Sequence, residues 1–435
     1  MAMGITTIHI AINRMVLSYT LILLSLVLLL IFLARNGVCI RSISALFLFV
    51  THFVGYPILH VRYLLDPSYP SLYDLKLDQG VILSFFGFFV FLMVSNIFKK
   101  RTNCLISLDI VNSDKINIYY YVYWVLFVVS ISYYLVSNGF SFNSDGNYGD
   151  RLEDNAGNGL LLINMAAFIP ALIIGLMRTK ERRETIKLLY LVIFSGALFF
   201  FVIGGSRNVL AGALLVFIYI SYIKGYLGKK FIVISGLFLL VLMNMLVLIR
   251  YNVSIDNLNV KDLFLIFLSY LVDSISPVYY QAITVDIFLN SSLSVEQGWD
   301  LFFNQFFALI PRGVWPDKPI VMMNSSYYFT QYILNLPGNL NMAATLLSSS
   351  IIIMGWHYYI LYVGAAIFVC FLDYLLTKRY LPFLILSLMS MPFCFFMARE
   401  SLELYMFMAF KYAIMIFTGV AIANFIYFLV PKKNV

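Results

Sequence analysis

The sequence predicts an all-α polytopic membrane protein, and two observations carry that prediction. Of its 435 residues 62% are hydrophobic and only 11% charged, and the apolar residues fall in runs of about twenty, the length a helix needs to cross roughly 30 Å of hydrocarbon. A soluble domain carries about a quarter charged residues, so a water-facing enzyme is excluded; the mean hydropathy of +0.90 agrees. Helices follow because lipid offers no partner for backbone N–H and C=O groups.

Eleven apolar windows follow one another, near 16–34, 42–59, 80–98, 117–137, 158–177, 188–203, 209–223, 231–249, 348–376, 381–398 and 405–430. They predict about 11 transmembrane helices. The first is longer than a signal-peptide core and no small-x-small cleavage site follows it, so it is predicted to stay as an anchor. The sixth and seventh are slightly short, and only Gly204-Gly205-Ser206-Arg207-Asn208 separates them. Two glycines there suit a tight helical hairpin. Between the eighth and ninth windows lies a long segment, 250–341, with apolar stretches at Leu263 to Val272 and Phe302 to Ile310. Amphipathic helices resting in the interface and roofing a cavity fit that composition. No internal repeat or low-complexity linker divides the chain, which predicts a single integral membrane domain over 1–435.

Orientation follows from charge. The loops after odd-numbered spans, with the tail, hold 18 Lys or Arg, and that side has five acids counting Asp373 at the end of the ninth window; the opposite face holds ten and sixteen, and Lys411 lies inside the last span. The basic face is therefore predicted to be cytoplasmic. The N-terminus and the 250–341 segment are then outside and the C-terminus inside. The net charge of +8 is thus a matter of topology, and no nucleic-acid partner is expected. Cys39, Cys104, Cys370 and Cys394 lie in short basic loops or apolar runs, which predicts neither a disulfide framework nor a CxxC metal site.

Four of the arginines at outer span ends or in outer loops stand out: Arg207, Arg250, Arg312 and Arg399. Singly, each could be snorkelling to headgroups. Together, on the face that the positive-inside bias depletes, they are candidates for an anion site, and pyrophosphate matches the guanidinium fork. Arg399 is followed by Glu400 and Glu403. Arg312 lies in Ile-Pro-Arg-Gly-Val-Trp-Pro-Asp-Lys-Pro at 310–319, where three prolines stiffen a loop bearing Asp317 and Lys318. Asp273 interrupts an apolar stretch and must meet either water or a cation. The aromatics of the same segment, including Trp315 and Tyr328, form an interfacial belt or stack on sugar rings. The four histidines are scattered, and no HExxH, P-loop, GxGxxG or GxSxG motif occurs. No metal and no cofactor is expected.

Three stretches carry a resemblance: GGSRN at 204–208, IPRGVWPDKPIVMMNSSYYF at 310–329 and MARESLELY at 397–405. Weaker matches run through SNGF at 137–140, FIPALI at 168–173 and DSISP at 273–277. In this order they resemble the Wzy-type polysaccharide polymerases, nearest to those of enterobacterial common antigen and O-antigen, over most of the chain beyond residue 130. The resemblance implies a GT-C-like glycosyltransferase of the bacterial inner membrane, working on the periplasmic face. It would move a growing glycan from undecaprenyl pyrophosphate onto a new undecaprenyl-pyrophosphate-linked repeat unit, with a Wzz-type chain-length co-polymerase as partner.

Placed on that chemistry, Arg207 and Arg399 are the expected stabilisers of the leaving pyrophosphate, and Glu400 or Asp273 the proton acceptor. Arg250, Arg312, Trp315, Asp317, Lys318 and Tyr328 are the expected substrate contacts. The alternatives are a lipid-linked oligosaccharide flippase and an O-antigen ligase. A transporter usually keeps polar groups near the midplane, whereas here that zone is nearly bare.

Overall fold

The computed structural model describes residues 2–66, 76–98, 114–138, 159–203, 207–228, 259–290, 298–310, 313–319, 321–336, 342–343, 345–378 and 380–429, with short pieces between 230 and 238. All regular structure among them is helical. Nine helical stretches there are long and apolar enough to cross a membrane, and the chain is a multi-pass membrane protein.

In chain order the elements begin with α1 (Ala2–Asn36) and α2 (Ile40–Phe49), the latter running through a π-helical turn, Val50–Val54, into α3 (Gly55–Leu65). Next come α4 (Leu77–Ile97), α5 (Asp114–Asn138), the short α6 (Gly159–Asn164), α7 (Phe168–Arg178), α8 (Arg182–Val202) and α9 (Arg207–Ile223). The long segment holds α10 (Val260–Ser274), α11 (Val278–Asn290), α12 (Gly298–Phe307) and α13 (Ser325–Tyr328), which ends in a second π-helical turn, Phe329–Ile333. The C-terminal part is α14 (Leu346–Met354), α15 (Tyr359–Leu376), α16 (Leu381–Ser390), α17 (Cys394–Arg399) and α18 (Leu402–Leu429).

One contiguous apolar cluster runs through these helices. Its centre is the α16–α17 stretch and α6–α7, whose most apolar windows are 83% and 78% buried, against 22% for α1. α1 is therefore a peripheral helix, and α17, which ends in Arg399, is held in the middle of the bundle. α8 and α9 pack against each other as a hairpin, as the short 204–208 link predicts.

One reading of the sequence changes. The window at 348–376 is two helices: Gly355 takes φ +56, a left-handed angle that glycine adopts freely, and a 3₁₀ turn at Gly355–His357 splits α14 from α15. The apolar stretch inside the long segment forms a pair, α10 and α11, bent by 54° and together apolar enough for a broken span or a re-entrant loop. Periodicity alone does not separate such a pair from an interfacial helix. The window at 231–249 falls largely outside the described residues.

Candidate functional site

The site begins with three places where helices stop being regular, each with a local cause. Pro57 lies in the first turn of α3 and cannot donate to the Phe53 carbonyl, and the backbone just before it widens into the π-turn at Val50–Val54. Pro277 forces Ser276 out of helical geometry, ending α10 and starting α11 at a bend. At the third, Ser401 caps α18 by accepting the Leu404 N–H at 3.3 Å, so α17 must end at Arg399 and Glu400 is left at the corner.

Side chains staple the three breaks together. The Ser276 hydroxyl donates to the Thr51 carbonyl and accepts the Gly55 N–H, both at 2.8 Å. Glycine is required at 55 because a Cβ there would strike the Ser276 carbonyl. Thr51 in turn places its hydroxyl 3.3 Å from the Ala398 carbonyl. His52, beside it, is buried and satisfied, with Nδ1 2.8 Å from the Thr51 hydroxyl and Nε2 2.9 Å from that of Tyr362.

Arg399, Glu400 and Asp273 meet on this scaffold. One Arg399 nitrogen lies 3.3 Å from Glu400 Oε1, another donates to the Asp273 carbonyl at 3.4 Å, and Nε has no partner among the described residues. The side chains of Arg399 and Glu400 keep 22% and 15% of their surface exposed. The guanidinium is thus pinned at its edges but unsaturated: Nε is buried and unpaired among the described residues, and each terminal nitrogen has a second N–H donor that an anion can take. Burial raises the Glu400 carboxyl above the ordinary glutamate range, and the Arg399 charge pulls it partly back. The Asp273 carboxyl is under the electrostatic influence of Arg399 and of Arg62 on α3.

Arg62 was not singled out from the sequence, although it is one of the ten basic residues counted on the outer face. Its place at the end of the second span was the available signal. A second addition is Glu403, fully buried in the first turn of α18: its Oε1 accepts a short hydrogen bond from the Ser325 hydroxyl, and its Oε2 has no partner among the described residues. Asn324, which caps α13 by accepting the Tyr327 N–H at 2.8 Å, donates to Gln305 at 2.5 Å. The 298–334 stretch is thereby tied to the first turn of α18 through Ser325, with Gln305 of α12 held on neighbouring Asn324.

The other expected residues are more dispersed. Arg207 opens α9, with its side chain outside the described residues, as are Arg250 and Arg312 altogether. Lys318 donates to the Ala308 and Ile310 carbonyls at 3.1 and 2.8 Å, closing off the end of α12. Trp315 is half-buried and Asp317 exposed in the turn just before it. Tyr328 stacks on Tyr332, centroids 4.9 Å apart, and Tyr332 is exposed, an apolar face of the kind a sugar ring covers. Among the described residues no group of three His, Cys, Asp or Glu side chains is arranged to hold a metal.

A family model described as WzyE protein, O-antigen assembly polymerase, matches residues 16–435. The chain belongs to the WzyE family. No solved structure matches it. As a member of a WzyE polymerase family it is a membrane enzyme of glycan assembly, and its substrates are lipid-linked oligosaccharides. This agrees with the Wzy-type resemblance of the 204–208, 310–329 and 397–405 stretches.

Proposed function

We propose that the protein is a metal-independent, GT-C-like polymerase acting on the periplasmic face of the bacterial inner membrane. It transfers a growing glycan from undecaprenyl pyrophosphate to a hydroxyl of the non-reducing sugar on a new undecaprenyl-pyrophosphate-linked repeat unit, of the O-antigen or common-antigen kind. The bond between the anomeric carbon and the pyrophosphate oxygen breaks, a glycosidic C–O bond forms, and undecaprenyl pyrophosphate leaves. The hydroxyl proton passes to a carboxylate.

The observation that carries this reading is the unsaturated Arg399 guanidinium, held at a partly buried corner between two carboxyl-bearing residues. Charge grows on the leaving pyrophosphate in the transition state, and preorganised donors in a partly dehydrated site stabilise it strongly. Arg399 has that environment; Arg207 joins it in the proposal as the arginine of the hairpin turn. Glu400, next to Arg399 at the corner and raised by burial, is the proposed proton acceptor, since a base works best with a pKa brought toward the working pH. Asp273, close to two arginines, positions Arg399 or shares the role. Arg250 and Arg312 grip the second pyrophosphate, and Trp315, Asp317, Lys318 and Tyr328 hold glycan. A Wzz-type protein sets chain length from outside this site.

The test is to supply purified protein with synthetic lipid-linked repeat units in detergent, with no lipid A-core acceptor and with a chelator present. Dimers and longer oligomers are the expected products. Products only when core acceptor is added would replace the polymerase with a ligase, and no glycan transfer at all would point to a transporter.

A further inference from the structure

Lys411 is a charge within a membrane span that the site described above does not use. It stands ten residues into α18, about 13 Å along the helix from Leu402. Among the described residues the ion pairs are Arg41–Asp373 and Arg399–Glu400, and no hydrogen bond of Lys411 to a described residue is present. Its ammonium instead lies 5.3 Å from the centre of the Phe407 ring. Phe410, Ile414 and Phe417 form the exposed, lipid-facing stripe of this helix, and Lys411 is half-buried at its edge. A cation at such a place is costly in hydrocarbon unless it reaches an anion.

The direction of the side chain says where that anion sits. Helical side chains lean toward the N-terminus, and the contact with Phe407, one turn earlier, shows Lys411 doing so. Positions 411, 407 and 404 follow one flank of α18, on which Phe407 is buried, so the ammonium reaches back along the helix toward its N-terminal end, just before which stand Arg399 and Glu400. A phospholipid has no reason to bring its phosphate below headgroup level here. A lipid whose diphosphate is drawn to Arg399 does.

We propose that Lys411 is a lateral docking point for a polyprenyl diphosphate lipid, engaged from the outer leaflet on its way to Arg399. The inference rests on the reading of Arg399 as a diphosphate site, but its test needs no turnover. Full-length protein in phosphatidylcholine nanodiscs is titrated with undecaprenyl pyrophosphate, and separately with phosphatidylglycerol, for the natural chain, Lys411→Met and Lys411→Arg. Methionine suits the lipid-facing edge, and melting temperatures check that both variants fold. Loss of about tenfold in diphosphate affinity is expected for Lys411→Met, the scale of one charge-assisted contact, with Lys411→Arg close to the natural chain and phosphatidylglycerol unable to compete. Unchanged affinity in Lys411→Met would overturn the proposal. So would displacement by phosphatidylglycerol, which would make Lys411 an ordinary snorkelling lysine. Absence of polymerisation in the natural chain, with the affinity difference intact, would instead count against the catalytic reading alone.

Discussion

Two arginines among the described residues sit against carboxylates in partly or fully buried places, and they are built in opposite ways. At one end, Arg41 at the start of α2 meets Asp373 near the end of α15 at 2.5 Å, with both side chains about 95% buried. Asp373 also accepts the Ile40 and Arg41 backbone N–H groups, and Arg41 donates onward to the Ser95 carbonyl. Little capacity is left over. At the α17–α18 corner, Arg399 has one loose contact to Glu400, another to a backbone carbonyl, and a buried Nε with no partner among the described residues. A closed pair belongs to the architecture, whereas an open one keeps donors for something that comes and goes.

The comparison breaks first on stability. Arg41→Ala leaves a buried aspartate unpaired, a loss of about 3–5 kcal/mol, which should appear as poor accumulation and a lowered melting temperature; Arg41→Met with Asp373→Leu should recover most of it. Arg399→Ala should do the reverse, keeping the melting temperature and lowering glycan transfer by roughly 10²–10³-fold, the scale of removing one oxyanion donor. Arg399→Lys should recover only part, since lysine lacks the fork. If Arg41→Ala cost turnover without stability, the division between the two ends would be lost.

Glu400 sharpens the contrast through pH. Burial raises its carboxyl, so folding favours the protonated form. Its ionisation weakens the fold as pH rises through the folded value, while the ionised form is the one able to accept a proton. Transfer should therefore climb with pH along a limb centred above the ordinary glutamate range, and Glu400→Gln should remove that limb and slow transfer by about 10²-fold. A limb unchanged in the glutamine variant would exclude Glu400 as the base. The smallest effect is expected for Ser325→Ala, which removes the hydroxyl from buried Glu403 at a cost of about 1–3 kcal/mol. Faster hydrogen exchange across 298–334 would register it, and unchanged exchange would show that this stretch is held elsewhere.

How much of this could be seen in the sequence depended on the range of the interaction. Long apolar runs report span existence directly, so the all-helical membrane class and the 188–223 hairpin were legible. Asp273 and the Arg399-Glu400 pair were legible because a charge inside or beside an apolar run is anomalous wherever it occurs. Arg41 and Asp373 were not, for they lie 332 positions apart and each alone looks like an ordinary span-end charge. Arg62 and Ser325 were missed for the same reason: their meaning lies in partners on other helices. The splitting of the 348–376 window at Gly355 was hidden because apolar composition continues across the break.

The most direct test is a single-turnover rate for Arg399→Ala with synthetic lipid-linked repeat units in nanodiscs, measured beside its melting temperature. The unsaturated-arginine account predicts a rate below about 1% of the natural chain's with the melting temperature unchanged. A rate within about twofold, well under the tenfold that 1.4 kcal/mol represents, would contradict it.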